Sequence, residues 1–220
     1  VVASLPTAGE SASPKVAKNA HARITQLCGL AEKGKIAPLI MVDNEKIKKL
    51  YPKLTVKKFW TTINNTVAGL FHVFNVLANQ DSEYTTFDAT DYDSIMKQPG
   101  CMIMGVTSVK NLENETAVSS ALKKNLEKTL LAEGFDLTTA TGAACIVVGS
   151  EEIFEETVGL MDNIEFGFDT LAALTGGAMV HRGIYEDDKK DKLVTYTLVS
   201  GLKRPAKRIE GLKKFLKNGK

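Results

Sequence analysis

Apolar residues recur at helical spacing from Val56 to Ala78, at Phe59, Ile63, Val67, Leu70, Phe71, Phe74, Leu77 and Ala78, with no proline in the run. The period predicts one long helix. Apolar side chains surround much of its circumference, so it must be covered on several sides, as a helix between two domains would be. A second helix is predicted over 14–32: Ser13-Pro14 suits an N-cap and first helical position, Val16, Ala20, Ile24 and Leu27 keep the period, and Gly34 ends it. APLIMVDN at 37–44 is a short apolar run closing in turn residues, a buried strand that opens into a loop. The polar run NQDSEYTT at 79–86 marks a boundary. Beyond it the pattern predicts strands at 101–108, 143–149, 178–184 and 193–200 and helices at 115–133 and 151–173, with the charged turn EDDKKDK before the alternating VTYTLV. This β-α-β-α-β-β order predicts a four-stranded sheet with helices packed on it, an α/β layer domain of about 115 residues. No internal repeat is visible.

Composition narrows the class without naming a function. The chain has 220 residues, 44% of them hydrophobic and 25% charged, which describes a folded globular protein of one large or two modest domains; two are favoured. Its longest apolar runs, LFHVF at 70–74 and IVV at 146–148, fall far short of the roughly 20 residues of a membrane span. Cys28, Cys101 and Cys145 lie far apart among apolar neighbours without a CxxC spacing, which reads as buried, reduced thiols of a cytoplasmic protein. VVASL is too short for the apolar core of a signal peptide, and the missing initiator Met suggests a fragment or processed chain.

The net charge of +2 is unevenly spread. Residues 202–220 hold eight of the 28 basic residues and one of the 26 acidic ones, giving the tail +7 and the body −5. Ile209, Leu212, Phe215 and Leu216 share one helical side of this tail and lysines the other. Such a segment either lies on anionic lipid, docks on an acidic partner, or covers the body with its apolar face. Nucleic acid is not expected as a partner, because the body is acidic and no aromatic platform accompanies the basic residues.

No GxxxxGK[ST], GxGxxG or GGGTGTG-like loop is present, and no HxxxH, HExxH or CxxC spacing, so the chain has no phosphate grip of its own and no metal site is read. His21, His72 and His181 are isolated in sequence, and His72 reads as a hydrogen-bonded interior or boundary residue. Asp88 and Asp91, in FDATD, can face one locus where the loop enters a helix; alone, such a pair is equally a solvated turn or helix start. Asn44 and Asn65 carry amides able to donate and accept at a base edge, and alone they read as a cap and a polar stripe residue. Glu45 and Trp60 read as cap and packing residues.

Three segments together resemble the FtsZ/tubulin superfamily. LIMVDNEKI is similar to the tubulin VIDNE-like stretch, the long helix with Asn64-Asn65 to the AAND stretch of the FtsZ core helix, and TFDATDYDSIM to the FtsZ synergy loop NVDFADVRTVM. PGCMIMG, the segment ending in GAACIVVG, and FEETVGLMDNI resemble GMAMMG, GVLVNI and FETVGNTI in the same order. The resemblance implies an α/β fold: a C-terminal remnant of a Rossmann-like GTPase domain with its core helix at 1–80, a four-stranded α/β domain at 85–201, and a basic amphipathic tail at 202–220. It implies an FtsZ-like prokaryotic cell-division or cytoskeletal GTPase that self-associates into longitudinal filaments. Asp88, Asp91 and Thr86 would activate hydrolysis in the adjacent subunit, and Asn44 and Asn65 would contact guanine. GTP or GDP and Mg²⁺ belong to the complete protein, with none firmly held by this chain, which alone is expected to be inactive. Carboxylates suffice for this chemistry, since phosphoryl transfer to water needs a positioned water more than covalent help. Thr86 departs from the family pattern, which has Asn there; a hydroxyl lacks the amide's paired donor and acceptor. The second reading is a non-catalytic interaction module that binds filament ends or membrane through its tail.

Overall fold

Residues 39–43 are all buried, as a strand covered on both faces must be. In the computed structural model, which describes residues 1–127 and 134–217 apart from the side chains of Val56, Glu127, Phe215, Leu216 and Lys217, they form strand β2 (Leu39–Asp43). It pairs in parallel with β1 (Val2–Leu5), the segment VVASL that carried no structural expectation. Strands β3 (Cys101–Ser108), β4 (Gly142–Gly149), β5 (Met179–Glu186) and β6 (Val194–Leu202) match the four expected strands within two residues. They join β1 and β2 in one six-stranded sheet of order β1-β2-β3-β6-β4-β5.

The predicted four-stranded sheet is thus extended by two strands, through two residue pairs, Leu39 with Cys101 and Ile40 with Met102. Every strand runs parallel except β6, which is antiparallel to both β3 and β4. The charged turn EDDKKDK therefore joins two strands that are not neighbours, because β4 lies between β5 and β6. β4 lies between β6 and β5, and all eight of its residues are buried.

Helices α1 (Ala8–Ser11), α2 (Pro14–Glu32) and α3 (Asn44–Leu50) precede the long α4 (Val56–Leu77), and α5 (Ala89–Met96) follows the polar boundary. In α2 the buried face is Ala17, Ile24, Cys28 and Ala31; Val16 turns outward, one position off the expected stripe. α4 buries Ile63, Leu70, Phe74 and Leu77, at spacings that keep one stripe, while Trp60 and Val76 stand exposed. Among the described residues its apolar circumference is therefore covered on one side. No helix is long and apolar enough to cross a membrane, again among the described residues.

α6 (Ala117–Glu127) and α8 (Leu160–Leu174) pack together on the sheet, so closely that a Cβ on Gly167 would fall 2.5 Å from Val118 Cγ1. Residues 128–133 of the helix expected at 115–133 lie outside the described residues. The helix expected over 151–173 is two, α7 (Glu151–Glu156) and α8, separated at Gly159, whose φ of 75° is left-handed. Only glycine adopts that conformation without strain, and it re-aims the chain between the two helices. The last element among the described residues is α9 (Ala206–Lys217).

Candidate functional site

Asp88 is the N-cap of α5. Its Oδ1 accepts the backbone N–H groups of Thr90 at 2.7 Å and Asp91 at 2.9 Å, while Asp91 Oδ2 reaches back to the Asp88 N–H at 3.4 Å. The i, i+3 carboxylates thus form a capping box, and the donors of the helix start offset their repulsion. Asp88 is exposed, and among the described residues nothing donates to its Oδ2.

The loop before this helix is tied to strand β5. Ile184 N–H donates to the Thr85 carbonyl at 2.9 Å, and the Ser82 hydroxyl donates to the Ile184 carbonyl. Phe87 is fully buried against Phe74 and Tyr92. Tyr185 accepts from Phe87 N–H at 2.8 Å and donates to its carbonyl at 3.1 Å; burial pushes this phenol above its ordinary value, so it keeps the proton it donates. Thr86 Oγ1 accepts from Ser82 N–H at 3.2 Å, which makes it a brace of the loop two residues before the first carboxylate. Tyr84 hydrogen-bonds the Glu186 carboxylate, which with burial pushes the phenol up to about 12.

His181, isolated in sequence, stands beside these carboxylates in the fold. The alternation of β5 puts His181, Gly183 and Tyr185 on the face toward α5, and Arg182 on the other, where it pairs with Glu165 at 2.5 Å and stacks on Phe168. His181 Nδ1 lies 2.7 Å from Asp91 Oδ1, and its Nε2 lies 3.3 Å from Ser94 Oγ. A period-2 reading of MVHRGIYE would have placed this histidine on the face of Tyr185.

The two asparagines are not brought to this locus by any hydrogen bond among the described residues. Asn44 opens α3 at 4% exposure and accepts from Ser4 Oγ at 3.1 Å; Asn65 is exposed on α4. The preceding residue, Asp43, caps α3 by accepting from Glu45 N–H at 3.1 Å. Its carboxylate also takes a two-pronged ion pair from Arg208 of α9, at 2.6 and 2.9 Å, with side chains only 3% and 16% exposed. Glu45 holds the Ala8 N–H at 2.7 Å.

The tail covers the body. Ile209 and Leu212 are buried, α9 packs on α2, and Arg204 pairs with Glu32, holding that carboxyl below its ordinary value. Phe215 and Leu216 carry no described side chains. The three cysteines are free and buried, as expected. No group of three or more His, Cys, Asp or Glu side chains converges to hold a metal among the described residues.

Residues 85–206 match the family model described as tubulin-like protein TubZ, C-terminal domain. No curated protein matches the chain. Similar solved structures include GDP-form protofilaments of Bacillus thuringiensis serovar israelensis TubZ, with a TM-score of 0.80 at 18% identity over 99% of this chain and 56% of that one. CetZ2 from Haloferax volcanii, as a GTPγS-bound protofilament, gives 0.72 at 18% over 99% and 60%. An empty FtsZ dimer from M. jannaschii gives 0.66 at 19% over 93% and 58%. The chain therefore spans between half and two thirds of these relatives' length. With more than half of its residues matched to that family model and its whole course following these folds, the chain belongs to the TubZ C-terminal-domain family of the FtsZ/tubulin superfamily.

Proposed function

We propose that this chain is the C-terminal part of a filament-forming GTPase, and that the first turn of α5 is the loop one subunit presents to the nucleotide of the next. The observation that carries this reading is the asymmetry of the capping box: Asp91 is engaged on both oxygens, while Asp88 leaves an exposed Oδ2 with no donor among the described residues. A free carboxylate oxygen on a braced helix start can orient and polarise a water. GTP and Mg²⁺ held by the neighbouring subunit would supply the reacting phosphate and its charge stabilisation. Asn44 suits a base edge in part, since its Oδ1 accepts from Ser4 and its Nδ2 makes no hydrogen bond among the described residues. The divisions at 1–80, 85–201 and 202–220 belong to the same proposal, with the open side of α4 at Trp60 and Val76 meeting other parts of the complete protein.

The test is made in the full-length protein. Asp88→Asn keeps an N-cap as good as Asp and removes the charge, and it is expected to lower assembly-dependent GTP hydrolysis on the order of a hundredfold while filaments still form. Hydrolysis at the wild-type rate in both Asp88→Asn and Asp91→Ala would sink the reading.

The non-catalytic alternative rests on the lysines of the basic tail, because Ile209 and Leu212 are already engaged by the body. Lys203, Lys207 and Lys214 are exposed and could meet anionic lipid or an acidic partner. Replacing all three with Gln is expected to abolish sedimentation with anionic vesicles on this reading, and unchanged sedimentation removes it.

A further inference from the structure

We propose that His181 is a positioning residue for the α5 carboxylates, fixing Asp91 against β5 so that Asp88 alone is presented outward. This rests on the proposed GTPase role of the loop.

The hydrogen count at His181 fixes which nitrogen carries a proton toward Asp91. A carboxylate only accepts, so the 2.7 Å contact with Asp91 Oδ1 requires a proton on Nδ1. Ser94 Oγ has one hydrogen and two possible acceptors: the Asp91 carbonyl at 2.8 Å and His181 Nε2 at 3.3 Å. With the hydrogen on the carbonyl, Ser94 accepts from Nε2 and the ring donates through both nitrogens. With the hydrogen turned to Nε2, the ring is neutral and still donates through Nδ1. In both arrangements the Nδ1–H points at Asp91 and Ser94 holds the far edge of the ring.

The consequence for the loop follows from the remaining bonds. Asp91 Oδ2 makes only a long 3.4 Å bond to the Asp88 N–H, too weak to hold the carboxylate by itself. His181 supplies the short bond, from a strand whose next residues on the same face also hold the loop through Tyr185. The side chains of Asp91 and His181 are 30% and 18% exposed, partly shielded from competing water, whereas Asp88 faces solvent. Without the imidazole, Asp91 can turn outward and compete with Asp88 for whatever approaches.

Replacement by the two amide side chains separates this role from packing. Asn places its amide nitrogen near the position of Nδ1, and Gln near that of Nε2. In the full-length protein, His181→Ala and His181→Gln are expected to lower kcat for assembly-dependent GTP hydrolysis on the order of tenfold, with KM and filament formation retained, while His181→Asn stays within about twofold of wild type. Equal losses in the Asn and Gln variants, or none in the Ala variant while Asp91→Ala is impaired, overturn the positioning role alone. Wild-type rates in His181→Ala, Asp91→Ala and Asp88→Asn together overturn the GTPase reading and this inference with it. A readout independent of hydrolysis is ¹⁵N NMR of the imidazole in the 220-residue chain: a protonated Nδ1 is expected, and a bare Nδ1 overturns the proposal whatever the kinetics show.

Discussion

Asp88 and Asp91 are the same residue type three positions apart, yet their surroundings give them different work. One caps a helix and keeps an oxygen for solvent; the other is bonded at both ends. The capping role has its own cost, so Asp88→Ala is expected to lose about 1 kcal/mol of stability in urea unfolding and Asp88→Asn close to none. Tyr84 offers a spectroscopic probe of the loop's tether to β5. Its phenol is held up at about 12 by Glu186, so it should ionise after an ordinary tyrosine in an ultraviolet titration, and Glu186→Gln should bring it earlier. The sign follows from the raised folded value: whatever stability this contact adds is complete below pH 10 and is lost as pH rises through about 12. The carboxylates could be read from FDATD because cap residues act locally. His181 could not be paired with Asp91 that way, since 90 residues separate them and only strand register brings them together.

At the scale of elements, hydrophobic period located α2, α4 and the last four strands closely, because burial on one face or both leaves a regular mark. It failed where a single backbone conformation decides. The apolar run over 151–173 continues through Gly159, whose left-handed φ parts α7 from α8. A Cβ there would meet nothing within 4 Å, so Gly159→Ala is expected to cost about 1 kcal/mol in a denaturant titration, through backbone strain and not through a clash. The short β1 was illegible for another reason: four residues carry too little periodicity, and its pairing with β2 is set by the partner.

Across the whole molecule, two regions of unequal connection share one sheet. β3, β6 and β4 are joined along nearly their full lengths, while β2 meets β3 through two residue pairs. Native-state amide exchange is expected to be slowest in β4 and β6 and faster in β1 and β2; uniform protection across the sheet would contradict this. What secures the first region is α9, through Ile209, Leu212 and the Asp43–Arg208 pair. Arg208→Met would leave the Asp43 carboxylate buried without its cation, and a loss of about 3–5 kcal/mol is expected in equilibrium unfolding. Sequence alone showed an amphipathic basic tail with several destinations open. Only the positions of Asp43 at the end of β2 and Glu32 in α2 show which one its arginines take.

The same ion pair has a bearing on how the chain is made. Asp43 and Arg208 are 165 residues apart, and Arg208 also holds the Pro6 carbonyl. At about 5–20 residues per second, a ribosome delivers the arginine roughly 10–30 s after the aspartate. Throughout that interval the first two strands exist without the helix that closes over them, so the earliest part of this sequence to be synthesised is among the last to reach its final form.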